Sequence, residues 1–532
     1  MRFILLLLVL SGSSYVQAQS SLVRGPYLNI LTQEGVVVKW RTTVGEKGMI
    51  RYGAHPDSLG HMITEGTATT EHEIKISGLQ PDTRYYYQIG SGEIFYTPAS
   101  EDFRFKTAPL PDTRKPIRIW AFGDFGDGSI HQKRVRDAYI RHYEQEDTDL
   151  WLWLGDNAYN DGTDEEFQTK VFEVFPEELA RMVVWPTPGN HDYKSISWLT
   201  HQGPYYDIFT LPKQGEAGGE PSKDESYYSF DYGNIHFISI NSEYVPHILN
   251  NNTIFTKWLE RDLKATRKDW IIAFWHQPPY SKGTHDSDDF FSNMEMVRKF
   301  VNPVLERYGC DLVLNGHSHG YERSYMIRGH FGFSNTFKPE SMLIDGSNGN
   351  PNDGNTYQKY LEGSDVNQGT VYVVAGSGGK KGDGSSLLNH PAMYMSTENY
   401  HGSLVIDVDG LTLHARFIDT TGGVIDEFAI QKNRVATPVK GHQFDRLVQL
   451  NTYPNPFTES FTIEFILEEP EKVEISIRDL FGRMIQHLPG QIYPAGQHRM
   501  VIQTEGDFPA GIYLVELKTA DRLSAKRMLH VE

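Results

Sequence analysis

Leu150-Trp151-Leu152-Trp153-Leu154-Gly155-Asp156-Asn157-Ala158-Tyr159 is five consecutive apolar residues, a glycine and then oxygen donors. A short apolar run without alternation predicts a strand buried on both faces. The abrupt switch to Gly-Asp-Asn predicts a loop at its carboxyl end. The same grammar recurs four times. Ile117–Phe122 runs into Gly123-Asp124-Phe125-Gly126, and an apolar stretch leads to Gly189-Asn190-His191-Asp192. Trp270–Trp275 ends in His276-Gln277-Pro278, and Leu312–Asn315 ends in Gly316-His317-Ser318-His319. Helix-like stretches lie between these runs: Gln132–Glu144, Glu165–Phe172 and Thr256–Ala265. Strands alternating with helices and ending in polar loops predict an α/β sheet with its site at the carboxyl ends of the strands.

Any one Gly-Asp or Gly-Asn pair, taken alone, reads as an ordinary turn. Taken together, the five motifs supply two carboxylates, a phenol, an amide oxygen and three imidazoles, from Asp124, Asp156, Tyr159, Asn190, His276, His317 and His319. Seven donors exceed what one ion needs and suit two ions sharing a bridge. Asp156 sits mid-constellation and is the candidate bridge. His317 and His319, two residues apart in an extended segment, point the same way. Hard oxygen donors suit ferric iron, manganese or magnesium, and imidazole suits zinc, iron or nickel. A mixed set containing a tyrosine points to iron in at least one position. Such a pair of metals clamps a phosphoryl group and generates a hydroxide nucleophile near neutral pH.

These motifs, in this order, resemble the purple acid phosphatases of the metallophosphoesterase superfamily, from about residue 22 to about residue 430. The resemblance implies a first metal held by Asp124, Asp156, Tyr159 and His319, and a second held by Asp156, Asn190, His276 and His317. The implied pair is Fe3+ with a divalent Fe2+, Zn2+ or Mn2+. It implies a four-layer α/β/β/α sandwich for residues 117–430 and hydrolysis of small-molecule phosphomonoesters. His191 and His285 match positions whose histidines bind the transition state or protonate the leaving group. Glu322 and Arg323 follow the His317 loop as candidates to brace it. Two other readings stand beside an acid phosphatase: a phosphodiesterase or nucleotide-cleaving enzyme using the same metals, and a catalytically silent surface binding protein.

The 532 residues are too many for one core and predict several domains. Residues 21–107 read as short strands and turns, and Gly78-Leu79-Gln80-Pro81-Asp82-Thr83-Arg84-Tyr85 resembles the corner of a fibronectin type III sandwich, with Tyr85 bonding back to the main chain. That module is either a spacer or an orienting unit. A proline-rich linker, 108–116, separates it from the next strand. Val371–Gly379 reads as a strand with a Gly-rich turn that lacks a P-loop ending, and 329–368 as a polar insertion. After a polar linker, residues 451–532 read as a small β-sandwich. Its Tyr453-Pro454-Asn455-Pro456-Phe457 and Gly511-Ile512-Tyr513 resemble the sorting domain of the type IX secretion machinery.

Met1–Ala18 reads as a secretory signal, with Arg2, an apolar Phe3–Leu10 and Val16-Gln17-Ala18 before the cut. It predicts a secreted or cell-surface protein, and no segment is predicted to be transmembrane. The formal net charge of −19 argues against general nucleic-acid or anionic-membrane binding. The single cysteine, Cys310, has no internal partner and is expected in a core.

Overall fold

The computed structural model describes residues 21–143, 148–197, 200–243, 253–361, 369–433, 449–467, 470–479, 483–504, 508–519 and 523–531. The signal segment lies outside these residues. The chain forms two compact units, 1–435 and 436–532.

The first unit opens with a β-sandwich. One sheet joins Leu22–Asn29, Gly35–Glu46 and Thr69–Ser77; the other joins His61–Thr64, Met49–Gly53, Arg84–Ser91, Ile94–Phe95 and Arg104–Lys106. The tyrosine corner is present: the Gln80 amide donates to the Tyr85 hydroxyl at 3.0 Å.

The α/β domain holds two seven-stranded sheets where the strand–helix alternation alone predicted a single sheet. The first runs Val184–Thr187, Leu150–Leu154, Ile117–Phe122, Gly402–Asp409, Thr412–Asp419, Val424–Asn433 and Tyr357–Tyr360. The second runs Tyr228–Tyr232, Ile235–Ser239, Trp270–Trp275, Leu312–Asn315, Val371–Ala375, Tyr321–Ser324 and Met393–Thr397. Side-chain alternation along each strand explains how the sheets pack. Trp270, Ile272 and Phe274 enter the core shared with the first sheet, whereas Ile271, Ala273 and Trp275 join Phe255, Trp258 and Leu259 of the helix Ile254–Ala265. On the first sheet, Trp120 stacks on Tyr139 of the helix Ile130–Tyr143, ring centroids 4.1 Å apart. Helices therefore cover both outer faces, giving the α/β/β/α order.

The parallel strands Val184–Thr187, Leu150–Leu154 and Ile117–Phe122 of one sheet, and Trp270–Trp275, Leu312–Asn315 and Val371–Ala375 of the other, bring their carboxyl ends to one edge. The polar insertion is more than a loop: its Tyr357–Tyr360 adds an edge strand parallel to Val424–Asn433. Residues 362–368 of that insertion lie outside the described residues. Cys310 is buried, its sulfur near the carbonyls of Ile271 and Leu312, and burial raises its thiol to about 12.

The second unit packs a three-stranded sheet (Gln449–Tyr453, Ser460–Leu467, Gly496–Gln503) and a four-stranded one (Met484–Tyr493, Glu471–Asp479, Gly511–Lys518, Leu523–His530). Phe461, Ile463, Phe465, Ile475, Ile477, Val515 and Leu517 form its core. Gln449–Tyr453, Met484–Tyr493, Gly496–Gln503 and Leu523–His530 carry polar residues at many positions, which hides them in the sequence.

His236, buried on Ile235–Ser239, lies 2.7 Å from Asp231 Oδ1 and 2.8 Å from Asp262 Oδ2. Burial pulls its pKa down, but Asp262 and Asp231 together lift it to about 9. A folded pKa above the unfolded value contributes stability that is full below about pH 6.5 and is lost as pH rises through 9. The stability gap between wild type and His236→Gln, measured by urea unfolding, is expected to be largest near pH 6 and to shrink steadily towards pH 9. A gap independent of pH would exclude the charged pairing.

Candidate metal centre

All five loops meet at the shared edge of the two sheets. Asp124 and Asp156, both buried, approach His276 so that one donor atom from each lies within 4.8 Å of the others. Around them, Asn190 Oδ1 is 2.9 Å from His317 Nδ1 and 3.1 Å from His276 Nε2. His276 Nε2 lies 3.3 Å from Asp156 Oδ1. On the other side, the Tyr159 hydroxyl donates to Asp124 Oδ1 at 2.9 Å and lies 3.4 Å from His319 Nε2. The structure thus brings together all seven candidate donors, in two overlapping groups that share the Asp124–Asp156 region.

Backbone conformation aims these groups. Asp124, Asp156 and His317 all have left-handed φ, of 57°, 50° and 68°. Non-glycine residues adopt that region at a cost, and Asp tolerates it better than most. The glycines are there for close approach: a Cβ on Gly155 would sit 2.5 Å from His276 Nδ1, and one on Gly189 2.2 Å from the Asp156 amide nitrogen.

Hydrogen bonds then fix each side chain. His276 Nδ1 donates to the Leu154 carbonyl at 2.9 Å, which turns Nε2 towards the centre. Asp124 Oδ2 accepts from the His317 amide at 2.7 Å, and Asp156 Oδ1 from the His191 amide at 2.8 Å. The Gly-rich turn after Val371–Ala375 supports Asp124 from behind, with the Gly379 and Lys380 amides donating to its carbonyl.

His191 sits beside the acidic pair. Its Nδ1 lies 2.6 Å from the Asn160 carbonyl and its Nε2 3.8 Å from Asp156 Oδ2. His285 is half-buried rather than exposed in a free loop: its ring stacks on His317 at 3.9 Å. Burial lowers its pKa, and the charge of His276 lowers it further. Of the two residues after the His317 loop, Glu322 faces the site's surroundings, accepting from Ser281 Oγ, which also bonds Ser318. Arg323 turns away to Asp426 and the Asn348 carbonyl.

Electrostatics show what the cluster needs. Two carboxylates in one buried space disfavour one another's charge. Burial raises Asp124, and Asp156 adds to that rise. Burial also pushes Asp156 up, but His276 and His191 hold it well below the ordinary range. Burial and both carboxylates drive the Tyr159 phenol well above 10. Burial and His276 drive His317 well below 6.5. Clustered carboxylates that raise the His276 imidazole to about 10, His317 and His319 imidazoles held below 6.5 by burial, and a phenol that resists ionising without added positive charge are a donor set that fits cations.

Sequence reading missed Asp192 as a functional residue, although it quoted the motif containing it. Its buried carboxylate accepts from the Gly189 amide (2.8 Å), the Asn157 amide (3.1 Å) and side chain (2.9 Å), and the Ala158 amide (3.3 Å). It ties the Asp156 loop to the Asn190 loop. Its signal was available only as an acid immediately following Asn190-His191.

Residues 117–321 match the calcineurin-like phosphoesterase family, residues 24–107 the purple acid phosphatase N-terminal domain, and residues 451–531 a secretion system C-terminal sorting domain. The chain is a multidomain relative of the purple acid phosphatases. Purple acid phosphatase 23 of Arabidopsis thaliana is 30% identical over 288 residues, covering 48% of this chain and 58% of that protein. Acid phosphatase type 7 of Homo sapiens is 28% identical over 357 residues, covering 61% and 76% respectively. The chain spans less than two thirds of the length of the first plant relatives it matches: 58%, 57% and 60%. Among solved structures, purple acid phosphatase PPD1 from yellow lupin seeds superposes with a TM-score of 0.61 at 18% identity, covering 77% of this chain and 75% of that one. At that identity the likeness establishes the fold.

Replacing Asp192 with Ala orphans several buried N–H donors at once. Asp192→Ala is expected to cost about 2–4 kcal/mol in urea unfolding. A loss below about 0.5 kcal/mol would show that the two loops hold together without it.

Proposed function

We propose that this chain is a secreted binuclear-metal acid phosphatase that hydrolyses phosphomonoesters. The observation that carries the reading is the convergence of Asp124, Asp156 and His276 at the carboxyl edge of two sheets, with Asn190, His317, His319 and Tyr159 within hydrogen-bonding reach of that group. A silent binding protein has no need to keep all seven. Asp124, Asp156, Tyr159 and His319 would hold Fe3+, and Asp156, Asn190, His276 and His317 a divalent Fe2+, Zn2+ or Mn2+. When bound, the metals supply Lewis acidity to the phosphoryl oxygens and a nucleophile near neutral pH.

The chain's own residues do the rest. His191, with Nδ1 held by the Asn160 carbonyl, presents Nε2 towards the centre, where it would bind the phosphoryl group or give a proton to the leaving oxygen. His285, packed on His317, faces the same space from the opposite loop. The net charge of −19 repels phosphate esters at long range, so attraction has to arise within the site.

The match of residues 451–531 supports handling by a secretion machinery and a secreted or cell-surface location, with Met1–Ala18 as the signal. Among the described residues, no helix is long and apolar enough to cross a membrane.

Asp156→Asn removes the bridging charge while keeping a side chain suited to left-handed φ. It is expected to lose metal, by elemental analysis, and more than about 100-fold in phosphomonoester turnover. Two retained metals with near-normal turnover would reject the bridge. Phosphodiester turnover exceeding monoester turnover in the wild type would move the assignment to a diesterase. A second test concerns Tyr159. A phenolate on ferric iron gives a visible charge-transfer band, so the iron-loaded protein is expected to be purple to pink. Tyr159→Phe is expected to bleach it with far-UV circular dichroism unchanged, and an unaltered spectrum would remove Tyr159 from the ligand set.

A further inference from the structure

The N-terminal sandwich reaches the candidate centre through a short run of charged contacts. Arg24 and Arg41, on its strands Leu22–Asn29 and Gly35–Glu46, converge on one carboxylate of the α/β domain, Asp164. Arg24 Nη2 donates to Asp164 Oδ1 at 2.9 Å, and Arg41 Nη2 to the same oxygen at 2.8 Å, while Arg41 Nη1 bonds Oδ2. Arg24 is wholly buried; its Nε donates to Gln168 Oε1 at 3.0 Å and its guanidinium lies 4.4 Å from the centre of the Phe172 ring. The Gln168 side chain in turn donates to the Val23 carbonyl at 2.9 Å.

Asp164 is the first residue of a helical segment, 164–172, that directly follows the Tyr159 loop. This segment is one α-turn running into a π-turn, too short to hold itself by propensity. Thr163 and Glu166 form a capping box at its start. The Glu166 carboxylate also gathers the loop amides: Asn160 and Asp161 both donate to it, and so does Lys170 Nζ, at 3.0 Å. Lys170 bonds the Tyr159 carbonyl as well. The Asn160 carbonyl receives His191 Nδ1 at 2.6 Å and Lys194 Nζ at 2.9 Å. The path therefore runs Arg24/Arg41, Asp164, the capped turn, Glu166, then residues 159–161, and ends on Tyr159 and His191.

We infer that the sandwich is an orienting module, with Arg24 and Arg41 as positioning residues that set the Tyr159–His191 side of the centre by clamping Asp164. The catalytic consequence rests on the phosphatase reading above; the clamp itself does not. Two cations on one carboxylate give charge-assisted bonds, stronger than neutral ones and sensitive to loss of either partner. A mere spacer would need neither convergence on one acid nor placement of that acid at the start of the loop's own helix.

Hydrogen–deuterium exchange on the full chain, paired with steady-state kinetics on an aryl phosphomonoester, tests this. Arg41 is only partly buried, so Arg41→Gln should fold; Asp164→Asn removes the clamp from the other side. Both are expected to speed exchange about tenfold in peptides covering 159–172 and 189–195 while leaving Ile117–Phe122 and Leu312–Asn315 unchanged. Both should lower kcat about tenfold with little change in KM, and Arg41→Lys should restore part of each effect. Unchanged exchange in 159–172, or an increase spread equally over the strands, overturns the inference. So does an unchanged kcat in a variant whose loop exchange has risen, measured against an active wild type. A wild type with no phosphomonoester turnover sinks the functional reading alone, because the exchange pattern still decides the clamp.

Discussion

Two buried carboxylates that face the same small space are the constraint to which the rest of this structure answers. Asp124 and Asp156 would each shed charge in a low-dielectric interior unless positive charge met them. The fold therefore invests in holding them together. Three residues adopt left-handed backbone, glycines let loops touch, and a main-chain carbonyl turns the His276 ring so that Nε2 faces inward. Strain of this kind is tolerated where surrounding structure over-determines it, and here two sheets and five loops do so. The acidic pair gives the edge of the sheets its chemical purpose, and the sheets give the pair its fixed separation.

Much of the architecture around the candidate metal centre was legible in the sequence because its grammar is local. A buried strand announces itself by an apolar run, and its carboxyl end by Gly followed by a donor; Leu150–Tyr159 shows both within ten residues. The seven donors are found at the loops where that pattern put them. What stayed hidden depends on long-range pairing. The division into two sheets is set by which face of Trp270–Trp275 meets which partner, and periodicity alone carries no such information. Asp192 and Glu166 look like surface acids in sequence, yet each gathers main-chain amides from a neighbouring loop. Tyr357–Tyr360 was obscured by the polar residues around it. The helical pattern read at Glu165–Phe172 is present from Asp164, but its second half is a π-turn whose Gln168 side chain bonds Arg24 and the Val23 carbonyl, contacts that lie far away in sequence.

The N-terminal sandwich illustrates how a domain boundary in sequence can be a mechanical joint in space. The Pro-rich segment lies between the two domains in sequence, but their cores are continuous and polar contacts cross as well: the Tyr27 hydroxyl donates to the Ile208 carbonyl at 2.8 Å and the Tyr87 hydroxyl to the Ala180 carbonyl at 2.6 Å. These buried bonds use tyrosines whose rings lie in the shared core, so the two domains cannot part without exposing apolar area and breaking polar contacts together.

The lone cysteine has a practical meaning. With its sulfur sealed among carbonyls and its thiol far from ionisation, Cys310 offers no thiolate to alkylating reagents while the chain is folded. In chemical terms the native molecule behaves as cysteine-free. A cysteine placed at any exposed position would then be the single addressable handle for a fluorophore or spin label. Distances between labelled positions in the two units could be measured without first engineering the natural thiol away.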